Sequence, residues 1–160
     1  MLLRERAWDV MRTDFITIRE SDSLREGALR LRKAMKDHPE RACAVVLSED
    51  GEFKGAVTAW WLLLYTEQCA LDDSLKLTQG QDFESKFRTV CRKCFSRRAG
   101  EVVERDLPVV KPQDPLAVVL ESMLSTRRRW AVVLEGGKVL GVIAAEDVFM
   151  QLDWEDSQEG

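Results

Sequence analysis

The chain carries the same pattern twice. The order of apolar, capping and glycine positions from Val10-Met11 to Leu62 recurs, with small changes in length, from Val102-Val103 to Val148. Ile18 corresponds to Val110, Asp22 to Asp114, Leu24 to Leu116, Ala28 to Leu120 and Leu31 to Met123, all in one register. After a short extra loop in the first copy, Ala44-Val45-Val46-Leu47 corresponds to Ala131-Val132-Val133-Leu134, and Gly55 to Gly141. A repeat this short cannot bury its own apolar face and is completed by its twin. A cleft between two similar halves is therefore the first place to expect function.

Local signals within each copy predict a β-α-β-β-α unit. In the first, Leu3 to Met11 reads as a lead-in helix and Phe15-Ile-Thr-Ile18 as a strand. Asp22 stands at a helix N-cap position, with Leu24, Ala28, Leu31 and Met35 on one stripe. In the second copy Asp114-Pro115 places a capping carboxylate before a proline at the first helical position. His38-Pro39 closes the first helix, because the residue before a proline is pushed out of the α region. Hairpins follow over Ala42–Ala59, turning at Glu49-Asp50-Gly51-Glu52, and over Trp130–Ala144, turning at Glu135-Gly136-Gly137. A helix then starts near Trp60 and another near Glu146.

Two such units predict an α+β fold with pseudo-two-fold symmetry. The expected division is 1–65 for the lead-in helix and first repeat, 66–98 for an insertion, 99–152 for the second repeat and 153–160 for an acidic tail. Within the insertion, 72–82 reads as polar loop. Phe83 to Arg98 reads as a helix with Phe83, Phe87, Val90 and Cys94 on its apolar stripe and Arg88, Arg92, Lys93 and Arg97 off it.

Several classes of function are disfavoured. A content of 45% apolar residues in 160 supports a real core, yet no apolar run nears the ~20 residues of a membrane span. With no signal or lipidation motif at the N-terminus, the expected location is cytoplasmic. The net charge of −4 equals the sum of Asp153, Glu155, Asp156 and Glu159 in the tail, so the body is near neutral and nucleic acid is not an expected partner. Four cysteines do not make a disulfide framework here, and reduced thiols are the expectation. Cys91-Arg-Lys-Cys94 has the spacing of half a zinc site, but only Cys43, Cys69 and His38 could complete it, so both cysteines read as small buried hydrophobes with no metal; a redox role beside the basic residues and a metal site shared across a dimer stay open. His38 stands alone, and no nucleophile–base pair or phosphate loop is present. No catalytic residue is assigned, and the expectation is not an enzyme.

The duplicated units, opening on Asp9-Val-Met11 with Phe15-Ile-Thr-Ile18 and closing on Val132-Val-Leu134, Gly141-Val-Ile143 and Glu146-Asp147, resemble a tandem CBS-domain pair, or Bateman module. The resemblance covers roughly 8–65 and 99–152. It implies a regulatory, ligand-sensing module that needs no resident cofactor and binds an adenine nucleotide or adenosyl compound (AMP, ADP, ATP or adenosylmethionine) in the cleft between the repeats. It also implies a homodimer. Trp60 to Tyr65 spreads apolar side chains round the whole helix axis and would supply a dimer face, with Val148, Phe149 and Leu152 as its counterpart.

In the family a glycine, apolar residues, a Ser/Thr and then an Asp three positions on mark the ligand cleft. Each copy here keeps half of that motif. The second reads Gly141-Val-Ile-Ala144-Ala-Glu-Asp147, retaining the Asp, and the first reads Gly55-Ala-Val-Thr58-Ala-Trp-Trp61, retaining the hydroxyl. By resemblance Asp147 recognises ribose beside Ala144, Arg128 and Arg129 contact phosphate, the strand backbone at Val109 and Val110 meets the base, and Thr58 offers its hydroxyl in the first copy. Plainer roles stay open: Asp147 as a helix-terminal carboxylate, and Arg127-Arg128-Arg129 as a solvated loop. So do two other functions. One is a dimeric scaffold that has lost its ligand and docks a protein partner. The other gives the basic helix Phe83–Arg98 an acidic partner or nucleic acid to dock.

Overall fold

A computed structural model of the protein describes residues 4–72 and 83–152. The elements follow in the order α1 (Ala7–Val10), β1 (Ile16–Arg19), α2 (Leu24–Asp37), β2 (Cys43–Leu47), β3 (Phe53–Thr58), α3 (Ala59–Asp72), α4 (Phe83–Cys94), β4 (Val109–Val110), α5 (Leu116–Thr126), β5 (Trp130–Glu135), β6 (Lys138–Ala144) and α6 (Ala145–Phe149). Two three-stranded sheets result, β1-β2-β3 and β4-β5-β6, the first pair of each parallel and the second antiparallel. The α+β repeat architecture is as expected. Asp72 ends α3, while the rest of the expected loop 72–82 and the acidic tail 153–160 lie outside the described residues.

The repeat extends to hydrogen-bond register. Val46 faces Gly55 and Val133 faces Gly141, and in both hairpins the pairing shifts at the next residue. Ile18, Leu24, Leu31, Ala44, Val46 and Val57 centre one core, and Val110, Leu116, Val119, Met123, Ala131, Val133 and Ile143 centre the other. These are the apolar faces of strands that alternate by two and helices that repeat by 3.6.

The compact units are not the sequence repeats. One comprises Ile16–Arg105, and the other joins the residues before Ile16 to those after Arg105. The segment leading into each repeat is thus laid on the sheet of the other. Arg12 exchanges two backbone hydrogen bonds with Val142 on β6 (2.8 and 3.0 Å), and Glu104 does the same with Ala56 on β3 (2.8 and 3.1 Å). These bridges cover sheet edges that would otherwise expose unpaired amides. They also explain the paired glycines. A Cβ on Gly55 would stand 2.8 Å from the Glu104 carbonyl oxygen, and one on Gly141 would stand 2.8 Å from that of Arg12.

The same exchange corrects both expected helix caps. Ser23, not Asp22, caps α2, its hydroxyl accepting from the Glu26 amide, and Pro115 stands at the N-cap of α5 rather than at its first helical position. The first helical amides already have carbonyl partners on the exchanged segments. Leu24 N–H donates to Arg97 O (2.7 Å) and Leu116 N–H to Glu5 O (2.9 Å), which satisfies groups that a helix start leaves open. The aspartates turn back instead, accepting from the amides of Arg19 (3.1 Å) and Lys111 (2.9 Å) to hold the strand-to-helix turns.

Three further differences concern length and cysteine chemistry. The lead-in helix is the single turn Ala7–Val10, and α4 ends at Cys94, short of Arg98. Cys94, expected to be a reduced buried thiol, forms a disulfide with Cys69 of α3, their Cα atoms 6.2 Å apart and so within disulfide reach. Tyr65 reinforces this junction by stacking on Phe95 and donating to the Cys94 carbonyl (2.8 Å). No described helix is long and apolar enough to cross a membrane.

Candidate functional site

The two half-motifs are two halves of one capping device. A capping box pairs a hydroxyl that accepts from the amide three residues on with an acidic side chain that reaches back to the N-cap amide. At α3 only the first half exists: Thr58 Oγ1 accepts from the Trp61 amide at 3.0 Å. At α6 only the second exists: Asp147 Oδ2 accepts from the Ala144 amide at 3.0 Å. Each helix start keeps one bond, and a different partner has lost the complementary atom.

Asp147 has a second bond that its local sequence does not announce. Its Oδ1 accepts from Arg12 Nη2 at 2.7 Å, with the two side chains only 18% and 23% exposed. The Arg12 guanidinium also lies over Trp130, 5.9 Å from the ring centroid, within cation–π range. A half-buried carboxylate, a guanidinium and an aromatic face therefore converge where β6 passes into α6. Such a set can bind a diol through the carboxylate, an anion through the guanidinium and a planar ring by stacking.

The repeat-equivalent place in the other unit has different chemistry. Trp61 takes the Asp147 position and donates its indole N–H to the Val102 carbonyl, while Glu104 takes the Arg12 position and is buried. Nearby Cys43 is fully enclosed in β2. Its burial first, and the Glu104 charge second, push its thiol up to about 12. Trp61 also lines a cavity of about 510 Å³ with Tyr65, Cys69, Cys94, Arg97 and Val103.

Val110 packs into the core, whereas Val109 is exposed; β4 forms the edge of its sheet. Arg127 ends α5 in the left-handed region (φ 56°), and Arg129 accepts the Ala145 amide on its carbonyl at 2.8 Å. Arg128 and Arg129 line a cavity of about 510 Å³ with Leu120, Met123, Leu124, Val148 and Phe149, a lining that includes Glu146 but not Asp147. Sequence reasoning missed Arg12 and Trp130. The available signal was the repeat itself, since the lead-in residues Val10-Met11 match Val102-Val103 and so put Arg12 opposite Glu104. Among the described residues no cluster of three or more His, Cys, Asp or Glu side chains is placed to hold a metal.

Comparison with known proteins agrees with the duplicated fold. No curated protein matches the sequence. Among solved structures, the CBS domain of a CBS-domain-containing membrane protein from Sphaerobacter thermophilus superimposes with a TM-score of 0.68 at 19% identity, covering 96% of this chain and 91% of that one. The cytosolic domain of the Mg2+ channel MgtE, solved in complex with ATP, gives 0.66 at 18% identity over 93% of this chain and 49% of that one. The CBS domain pair of protein MJ0100, solved in complex with 5′-methylthioadenosine and S-adenosyl-L-methionine, gives 0.63 at 18% identity over 91% and 94%. At such identities the likeness shows the fold. Residues 7–60 and 99–153 each match the CBS domain as a family, so this chain belongs to the CBS-domain family and carries two such domains in tandem.

Proposed function

We propose that the chain is a regulatory rather than catalytic module that binds an adenine nucleotide or adenosyl compound at Asp147. The observation that carries this reading is the half-buried Asp147 carboxylate beside a guanidinium and an indole ring. Two fold relatives, the MJ0100 pair and the MgtE domain, hold adenosine-containing ligands in their structures. Ribose recognition falls to Asp147, base contact to the β4 backbone at Val109 and Val110, and phosphate contact to Arg128 and Arg129. Binding regulates only insofar as the ligand prefers one arrangement of the protein over another.

The same reading makes the protein a homodimer. Trp60 and Leu63 on α3 are each 62% exposed and Phe149 at the end of α6 is 57% exposed, beside apolar grooves at the α2–α3 and α5–α6 pairs. Light scattering should return twice the chain mass, and a monomer at micromolar concentration would sink the dimer.

A second reading, a ligand-free scaffold that docks a protein partner, draws on the capping geometry: Asp147 and Thr58 both serve helix starts. Thermal shift with AMP, ADP, ATP, adenosylmethionine and a guanine nucleotide separates the two. A ligand at a hundredfold excess over its Kd stabilises the folded state by about 2.7 kcal/mol. A shift for adenine compounds that Asp147→Ala removes supports the sensor. No shift with any compound leaves the scaffold.

A further inference from the structure

The Cys69–Cys94 bond forms part of a cavity wall. Both cysteines line the cavity of about 510 Å³ beside Tyr65, a volume typical of small-molecule sites. The two residues are not equally accessible. Cys94 is 1% exposed and packs with Val90 and Phe95, whereas Cys69 on α3 is half-buried. A disulfide is opened by a thiolate that reaches one of its sulfurs, and access helps select which one. Access here favours Cys69.

The rim carries charge that suits such an attacker. Lys93 and Arg97 line the cavity with exposed side chains, and Glu101, which also lines it, pairs with Arg97 at 3.1 Å. Two cations against one carboxylate leave a positive balance. A thiolate is an anion, and a small thiol bearing carboxylates is more strongly so. The positive rim raises its local concentration and favours the charge left on the departing Cys94 sulfur, which lines the same cavity. The other thiols are placed differently. Cys91 lies one turn before Cys94 on α4 but outside that lining, and Cys43 is enclosed in β2.

We propose that Cys69 is a thiol-modification site and that the cavity beside it admits a small thiol bearing carboxylates. The incoming thiolate attacks Cys69 Sγ. A new S–S bond forms there as the Cys69–Cys94 bond breaks, and the electron pair leaves on Cys94 Sγ, which takes a proton from water. The incoming sulfur is oxidised, Cys94 is reduced, and no further oxidant is needed. The product carries an anionic adduct on α3, which has lost its covalent tie to α4. Attack by Cys94 on the mixed disulfide expels the adduct and restores the bond, so occupancy rises with thiol concentration. None of this depends on ligand binding at Asp147.

The test exposes the oxidised full chain to glutathione or cysteamine at matched thiolate concentration and low salt, followed by acid quenching and peptide mass mapping. Glutathione should add to Cys69 and leave Cys94 as a free thiol. It should react about threefold or more faster than cysteamine, whose ammonium cancels its thiolate charge. Lys93→Gln combined with Arg97→Gln leaves Glu101 as the charge on the rim and should abolish that preference, with circular dichroism to confirm folding. Cys91→Ser should leave the yield and position of the adduct unchanged. An adduct on Cys94 or Cys91 in place of Cys69, or full reduction with no adduct, overturns the site. So does a bond that stays intact at glutathione concentrations that open it in urea-unfolded protein. A preference unchanged in the double variant overturns the anionic-thiol class. A native protein with all 4 cysteines free before any thiol is added overturns the bond itself, and the proposal with it.

Discussion

Opening the Cys69–Cys94 bond should cost the unit Ile16–Arg105 a large part of its stability. The bond closes a loop of 25 residues, for which the chain-entropy relation gives about 3.5 kcal/mol at 25 °C. Among the described side chains of α4, Val90 and Cys94 are fully buried, and the Tyr65–Phe95 stack and the Tyr65 hydroxyl bond to the Cys94 carbonyl lie beside them. Urea denaturation of the oxidised wild type, the reduced wild type and Cys69→Ser measures the difference, and the last two should agree within about 0.5 kcal/mol. Thiol labelling of the native, unreduced protein supplies the companion measurement. Cys91 is partly exposed and should react slowly, its thiol pKa raised by partial burial, while Cys43 is enclosed and should not react. After reduction and unfolding, all 4 cysteines should label. A loss below about 1 kcal/mol with the bond verified by mass would refute the entropic account. Labelling of Cys69 or Cys94 without reductant would refute the bond.

Thr58→Ala should destabilise the protein by about 1–2 kcal/mol, because it strands the Trp61 amide, whereas Thr58→Ser keeps the bond and should cost about 0.5 kcal/mol; equal losses in denaturant titration would assign the effect to the lost methyl instead. Cys43 gives an alkaline signature. Its folded pKa near 12 lies above the ordinary thiol value of 9.0, so the folded state keeps the proton that the unfolded chain loses between them. The stability this contributes is fully present below pH 9 and is lost as pH rises toward 12, at up to about 1.4 kcal/mol per pH unit. Cys43→Ala should flatten that slope, and an unchanged slope would assign it to other groups. Arg127→Gly should stabilise by roughly 0.5–1 kcal/mol in thermal melts, since only glycine takes the left-handed region without cost from its Cβ; a loss would mean the arginine side chain contributes more than its backbone costs.

What was legible in advance depends on the range of the interaction. The hairpins and the helix ends at His38-Pro39 rest on contacts a few residues apart, and their residue types carry them directly. Capping was half legible. Asp22 was expected at the cap, but its neighbour Ser23 holds the Glu26 amide, while the segment 95–99 supplies carbonyls to the amides of Leu24 and Arg25. The disulfide was misread because Cys91 and Cys94 share a local spacing, while the real partner lies 25 residues away on another helix.

By itself the sequence determined the repeat, the α+β class, the two hairpins in matching register and the motif positions at Thr58 and Asp147. Periodicity and turn chemistry are local properties that do not wait for the chain to fold. Only the tertiary structure decided that each lead-in segment crosses to the other repeat's sheet. That crossing brings Arg12 onto Asp147 across 135 residues. A charged side chain has no intrinsic partner, and the backbone bridge from Arg12 to Val142 brings its guanidinium within 2.7 Å of the Asp147 carboxylate.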